Sequence, residues 1–184
     1  MLLLLHSTLT AMVIANSQAG RTAHEAMGYR PRAWRVIANG IDAGRFRPRP
    51  EVRDAVRAEL GVPAGALLVC VMARFDAMKG HDVFAEALAC WLPRDPRVHA
   101  LVAGTGVSVE AAPYEALLNA RPELESRLHL LGPRLDVERL IAAADLACCP
   151  SRSEGFPNAV AEAMACGLPC VVTDVGDASQ LVGD

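Results

Sequence analysis

Apolar residues recur along this chain in two alternating rhythms. Short, largely apolar runs stand at Leu67–Ala73, His99–Ala103, Leu128–Leu131 and Leu146–Cys149, with further ones at Met12–Ala15, Val36–Ala38 and Pro169–Thr173. Runs of this length, rich in Val, Leu and Ala and free of strict polar alternation, predict strands covered on both faces. Between them, His81–Trp91 places Val83, Phe84, Ala87, Leu88 and Trp91 on a helical period, and Val109–Ala120, Val137–Ala143 and Asn158–Cys166 follow suit. Strands alternating with helices at this pitch predict βαβ units, and so an α/β fold built on a parallel sheet with helices on both faces.

The ends of the chain have a different character. Residues 1 to 34 read as a helix, a strand and a second helix ending at Pro31, followed by a strand and the turn VIANGID. At the other end a helix begins after Asp177, and the chain stops almost at once. A sheet protein rarely stops there, so the sequence is expected to be a piece of a longer protein. The opening MLLLLHSTLT reads neither as a signal peptide nor as a membrane span. It has no basic segment, and His6, Ser7, Thr8 and Thr10 break an apolar run far short of the roughly 18 to 20 residues a span needs.

Composition narrows the classes. At 184 residues, 52% hydrophobic and only 4% aromatic, the chain suits one aliphatic α/β core. A net charge of −3 with both signs interspersed offers no basic block for nucleic acid. Cys70, Cys90, Cys148, Cys149, Cys166 and Cys170 form no CxxC pair and accompany no His at zinc-like spacing. They read as reduced thiols of a cytoplasmic protein, with no metal site.

Candidate chemistry gathers where the strands end, the edge at which open parallel sheets bind ligands. Arg74 and then Lys79-Gly80 follow the 67–73 run. Gly104-Thr105-Gly106 follows 99–103, and Gly132-Pro133-Arg134 follows 128–131. Ser151-Arg152-Ser153-Glu154-Gly155 follows 146–149, and Asp174 with Gly176 follows 169–173. Singly, each has an ordinary explanation. Arg74, Lys79 and Glu162 can be surface charges, GTG lacks the third glycine of a dinucleotide fingerprint, and His81 and His99 read as structural. Together they suggest a site for a phosphorylated, polyhydroxylated ligand. Arg74 can fork onto phosphate oxygens and Lys79 can act as a mobile point charge. The helix that Pro157 opens offers free N–H groups and the positive end of its dipole. Glu162, inside that helix, can accept both hydroxyls of a ribose, and Glu154 would stand at the other end of the phosphate chain, beside sugar hydroxyls.

These segments resemble a known family. VIANGIDAGRFRP (36–48), ARFDAMKGHDVFAEAL (73–88), LVAGTG (101–106) and the stretch from Leu128 to Gly176, which contains SEGFPNAVAEAMACG, are similar in order to the donor-binding half of the retaining glycosyltransferases of family 4. That family has the GT-B architecture of two Rossmann-like domains. Glu154 and Glu162 match its E-x7-E element.

The resemblance implies roles position by position. Arg74 and Lys79 bind the diphosphate of a nucleotide-sugar donor. Glu154 contacts the transferred sugar, beside the backbone of Gly155, Phe156, Pro157 and Asn158. The amides of Ala159 and Val160 face phosphate, and Glu162 holds the ribose. The turn Gly132, Pro133, Arg134 and Leu135 holds the base through its backbone, with UDP ahead of GDP. Arg74, Lys79 and Glu154 carry the catalysis, none of them as a nucleophile, and no metal or cofactor is required. On this reading residues 1–34 are the remnant of an N-terminal acceptor domain and its linker. Residues 35–184 are a donor domain truncated at its C-terminus, which binds donor but transfers nothing alone. The acceptor, a glycan or lipid-linked glycan as in polysaccharide assembly, would belong to the missing half, as would any contact with the inner face of the membrane.

Two other readings share the site. A nucleotide-sugar 2-epimerase has the same architecture, although the E-x7-E element favours transfer. A non-catalytic module could also keep the fold and the nucleotide. A NAD-dependent oxidoreductase is excluded, because GxGxxG after the first strand and an acidic residue about 20 positions on are both missing.

Overall fold

A computed structural model describes residues 7–183. The expected first helix falls mainly on residues 1–6, outside the described residues. The large sheet contains β3 (Leu67–Met72), β4 (Val98–Ala103), β5 (Leu128–Leu130), β6 (Leu146–Cys149) and β7 (Cys170–Val172), all parallel and in the order β5-β4-β3-β6-β7. From β3 the chain builds outward through β4 to β5, then returns to the other side of β3 for β6 and β7. The strand order therefore reverses between β3 and β6, and the crevice beyond their carboxyl ends is where such sheets take ligands.

The strands bury both faces, as their composition predicts. Leu68 and Cys70 of β3, with Leu101 and Ala103 of β4, face one layer. That layer is formed by α2 (Pro50–Glu59), α5 (Val137–Ala143) and α6 (Asn158–Ala165), through Val56, Leu140, Ile141 and Ala163. Val69 and Val71, with Val98, Ala100 and Val102, face the opposite layer of α3 (His81–Trp91) and α4 (Ala112–Ala120), through Phe84, Leu88, Tyr114 and Leu117. Each fully buried Leu among them is worth about 2 kcal/mol. Helix α4 starts three residues later than its apolar pattern suggests, with Pro113 in its first turn, where a missing N–H costs nothing.

Helix α2 stands where the apolar pattern is thin. It is placed by a charge cluster at the amino edge of the sheet. Asp145, just before β6, accepts from the Leu68 amide at 2.8 Å and pairs with Arg53 and Arg57 of α2, the latter at 3.2 Å. Arg57 is buried and also donates to the carbonyls of Ala143 and Ala66. Among the described residues no helix is long and apolar enough to cross a membrane.

The N-terminal piece is a separate βαβ unit. β1 (Val13–Ala15) pairs in parallel with β2 (Trp34–Val36), with α1 (Gln18–Ala26) between them. The strand expected at 36–38 thus starts two residues earlier and joins β1, not the large sheet. A boundary drawn after residue 34 would cut through β2. Ile14, Val36 and Ile37 of this unit are exposed.

One stability prediction arises here. His99 on β4 and His129 on β5 stack with Nδ1 and Nε2 3.2 Å apart. Burial lowers both pKa values, helped by Arg127 and Arg57 near His99 and by His99 near His129, whose value falls to about 4. The unfolded chain takes up these protons near the ordinary value of about 6.5. Stability is therefore full above that pH and falls as the pH drops from about 6.5 toward about 4, by about 2 kcal/mol for His129. Melting temperature against pH should show this slope, and His129→Gln should flatten it.

Candidate functional site

The described cavity at the reversal point has a volume of about 320 Å³. Its floor is the carboxyl ends of β3 and β6, and its walls are the loop 150–154, the first turn of α6 and the segment around Lys79. Arg74, Lys79, Glu154, Phe156, Pro157, Asn158, Ala159, Val160 and Glu162 all line it.

Local sequence explains how Lys79 arrives there. Asp76 caps a 3-10 turn over Ala77–Lys79 by accepting from the Met78 amide at 2.8 Å. Gly80 then reverses the chain with φ of 65°, and a Cβ at that position would lie 1.9 Å from the Pro150 carbonyl oxygen. Only glycine allows the two loops to meet this closely. Arg152 closes the far side with a two-pronged bond to Asp82 at 2.6 Å and an amide bond to the Met78 carbonyl at 2.8 Å.

Lys79 Nζ lies 2.6 Å from Glu154 Oε1, with both side chains mostly buried. The same oxygen accepts from Ser151 Oγ at 2.7 Å. The two side chains are thus in direct contact. A buried carboxylate recruits the nearest cation to offset its lost hydration, and the spacing of the two residues along the chain gives no hint of that.

Arg74 is two-thirds exposed, 3.4 Å from Asp76, at the cavity mouth. Its backbone is held by residues that the apolar pattern presents only as core. His81 reaches the Arg74 carbonyl with Nε2 at 2.9 Å and Tyr114 Oη with Nδ1 at 2.7 Å. A carbonyl only accepts, so Nε2 carries the proton and Nδ1 accepts from the tyrosine. Burial lowers the His81 pKa and keeps the ring neutral for this role. Tyr114 had no local signal beyond its place on α4.

At the start of α6, Pro157 precedes the first helical residue and contributes no side-chain cap. The Val160 amide turns back to the Pro157 carbonyl at 3.0 Å, so it already has a partner where a phosphate was expected. The amides of Asn158 and Ala159, in the first turn, have no i−4 carbonyl. Asn158 Oδ1 also accepts from Asn39 Nδ2 at 2.8 Å, which ties the NGID turn to the rim. Glu162 is half-buried; desolvation raises its pKa, and Arg45 pulls it back down.

The turn Gly132, Pro133, Arg134 and Leu135 lies outside this lining, as does Gly155. The Arg134 side chain is committed to Asp136 at 2.7 Å and Glu59 at 3.2 Å. Leu135 is almost fully exposed. Arg45, which the spacing arguments pass over, holds the Leu135 carbonyl at 3.0 Å and Glu138 at 2.8 Å.

Comparison with known proteins identifies the family. Residues 66–184 match the family model described as glycosyl transferases group 1. D-inositol 3-phosphate glycosyltransferase of Saccharomonospora viridis is 35% identical over 162 residues, 84% of this chain and 37% of that protein. Lipopolysaccharide core biosynthesis mannosyltransferase LpsB of Rhizobium meliloti is 36% identical over 150 residues, covering 80% of this chain and 42% of its own length. Among solved structures, Anabaena HepE in complex with UDP superposes with a TM-score of 0.82 at 35% identity, over 95% of this chain and 48% of that one. The HepE complex with UDP-glucose gives 0.83. The chain thus spans about two fifths of the curated relatives it matches, and about half of the solved ones.

Proposed function

This chain belongs to the group 1 glycosyl transferases, and from that premise we propose that its cavity is the donor site of a retaining glycosyltransferase that uses a nucleoside-diphosphate sugar, UDP-linked before GDP-linked. The observation that carries the reading is the single cavity wall on which Arg74, Lys79, Glu154, the free first-turn amides of α6 and Glu162 meet. HepE, 35% identical over 95% of this chain, has been solved in complex with UDP and with UDP-glucose.

The roles follow from charge and position. The diphosphate lies between Arg74, Lys79 and the Asn158 and Ala159 amides. Glu162 accepts the ribose hydroxyls, and the backbone of the 132–135 turn holds the base. When the bond from the sugar's anomeric carbon to the β-phosphate oxygen breaks, negative charge grows on that phosphate and positive charge on the sugar ring. Fixed cations and helix amides stabilise the leaving group without a metal, because they are already oriented before the reaction. When the donor binds, before any bond breaks, Lys79 exchanges Glu154 for phosphate, which frees Glu154 to accept from the sugar hydroxyls. The acceptor, a glycan or lipid-linked glycan, is chosen by the portion of the relatives that this chain does not match.

Glu162→Ala tests the ribose assignment. A charged hydrogen bond to a hydroxyl is worth about 1.5–3 kcal/mol, so the UDP dissociation constant should rise about 10- to 100-fold, with inorganic pyrophosphate binding unchanged. Equal weakening of both ligands, or of neither, would contradict the assignment.

A further inference from the structure

We infer that Asp177 is a positioning residue: its carboxylate pins the N-terminus of α1 to the back of the Glu154–Gly155 turn, so that the N-terminal βαβ unit and the loop carrying Glu154 are held as one piece. The inference rests on the proposed donor site only for what that loop does with a ligand. The coupling itself rests on contacts.

Asp177 sits immediately before α7 (Ala178–Val182), a position where an aspartate normally caps its own helix. It makes no such bond. Its buried carboxylate turns away instead and accepts from the amides of Gln18 at 2.7 Å and Ala19 at 2.8 Å, 159 and 158 positions away in sequence. Ser17 Oγ takes the next amide, that of Gly20, at 2.9 Å. The first turn of α1 contains no acidic residue of its own. A carboxylate from the donor-site side therefore supplies the negative charge that this helix end favours.

The opposite side of Asp177 touches the sugar-facing loop. Its own amide donates to the Gly155 carbonyl at 3.0 Å. Gly176 lets the two segments approach, since a Cβ there, at φ of 62°, would lie 2.3 Å from the Glu154 carbonyl oxygen. Gly155 in turn packs on α1's entrance: a Cβ on it would be 3.2 Å from Ser17 Oγ and 3.6 Å from Asn16 Oδ1. Residues 16–19, 154–155 and 176–177 thus form one contact, in which the Asp177 carboxylate is the charge bonded to α1. Helix α1 connects β1 to β2, which pair with each other outside the large sheet. Displacement of that strand pair must either drag the Glu154 turn or break the Asp177 bonds.

Amide hydrogen exchange of the whole chain, residue by residue, tests this without any ligand. In Asp177→Ala the amides of Gln18 and Ala19 lose their partner and should exchange about tenfold faster, the size of a charged helix cap. The inference requires the amides of Gly155, Phe156 and position 177 to accelerate with them, while those of β3 and β4 stay unchanged. Asp177→Asn, which keeps one acceptor, should show a smaller change at the same two places and serves if the alanine variant does not fold. Arg21→Ala, which removes the Arg21–Glu25 pair on the surface of α1, should loosen the helix and leave 155–156 alone. Acceleration confined to residues 18–20 in both Asp177 variants would make Asp177 a simple helix cap and overturn the inference. A wild-type chain that binds no nucleotide, together with Asp177 variants that show the coupled acceleration, would sink the donor-site reading and leave this one standing.

Discussion

Lys79→Ala is expected to weaken UDP binding by about 100-fold and to cost the folded chain about 2 kcal/mol. Only the second effect comes from the 2.6 Å pair with Glu154. A lysine on a phosphate in a water-poor cavity contributes a charge-assisted bond of about 1.5–3 kcal/mol, the upper end of which corresponds to about two decades in affinity. The stability cost has a separate origin. The Glu154 side chain is only 10% exposed, and without Lys79 its charge keeps the Ser151 hydroxyl and the weaker Cys149 thiol as partners but no cation. The two effects separate in a double-mutant cycle. Adding Glu154→Ala to Lys79→Ala should recover most of the lost stability and none of the UDP affinity. Additive losses of stability would mean that the pair is not coupled. An unchanged UDP affinity in the single variant would remove Lys79 from the site.

Asp145→Ala should be the more damaging change to the fold, at about 4 kcal/mol. It leaves the buried Arg57 guanidinium with the Ala143 and Ala66 carbonyls but no counter-charge, and removes a partner from Arg53 and from the Leu68 amide. Removing one member of a buried charge pair typically costs 3–5 kcal/mol, because the remaining charge is left without hydration or partner. For a chain of this length that is a fall of roughly 12 °C in melting temperature. The cluster lies before β6 and the cavity lies after it. The surviving folded molecules should therefore bind UDP with unchanged affinity, which separates this residue from the site. A melting temperature within about 3 °C of the parent would mean that the guanidinium finds water or another partner.

The parts of this architecture legible in sequence are those set by local periodicity. The strand-helix alternation between Leu67 and Val172 gave the parallel sheet, and the residues following each strand gave the candidate site, because the carboxyl edge of such a sheet collects whatever follows its strands. What stayed hidden depends on distant partners. Helix α2 has few apolar positions, Val52, Ala55 and Val56 among charged neighbours, and Asp145 holds it from almost 90 positions on. The pairing of β2 with β1 follows from a register that no pattern within either three-residue strand specifies. In the site, the Lys79–Glu154 contact, the hold of His81 and Tyr114 on Arg74, and the reach of Asp177 to α1 are all long-range hydrogen bonds between residues that look ordinary one at a time. The use of the Val160 amide inside its own helix turn is a matter of cap geometry, which Pro157 sets and spacing does not reveal.

The central claim is that this chain contains a competent, metal-independent site for a nucleoside diphosphate. The most direct measurement is calorimetric titration of the purified chain with UDP and then GDP in the presence of EDTA, repeated with Glu162→Ala and Lys79→Ala. The account predicts saturable binding of UDP ahead of GDP, weakened by both substitutions. A folded chain that binds neither nucleotide, or binds UDP equally well with Glu162 and Lys79 replaced, would contradict it.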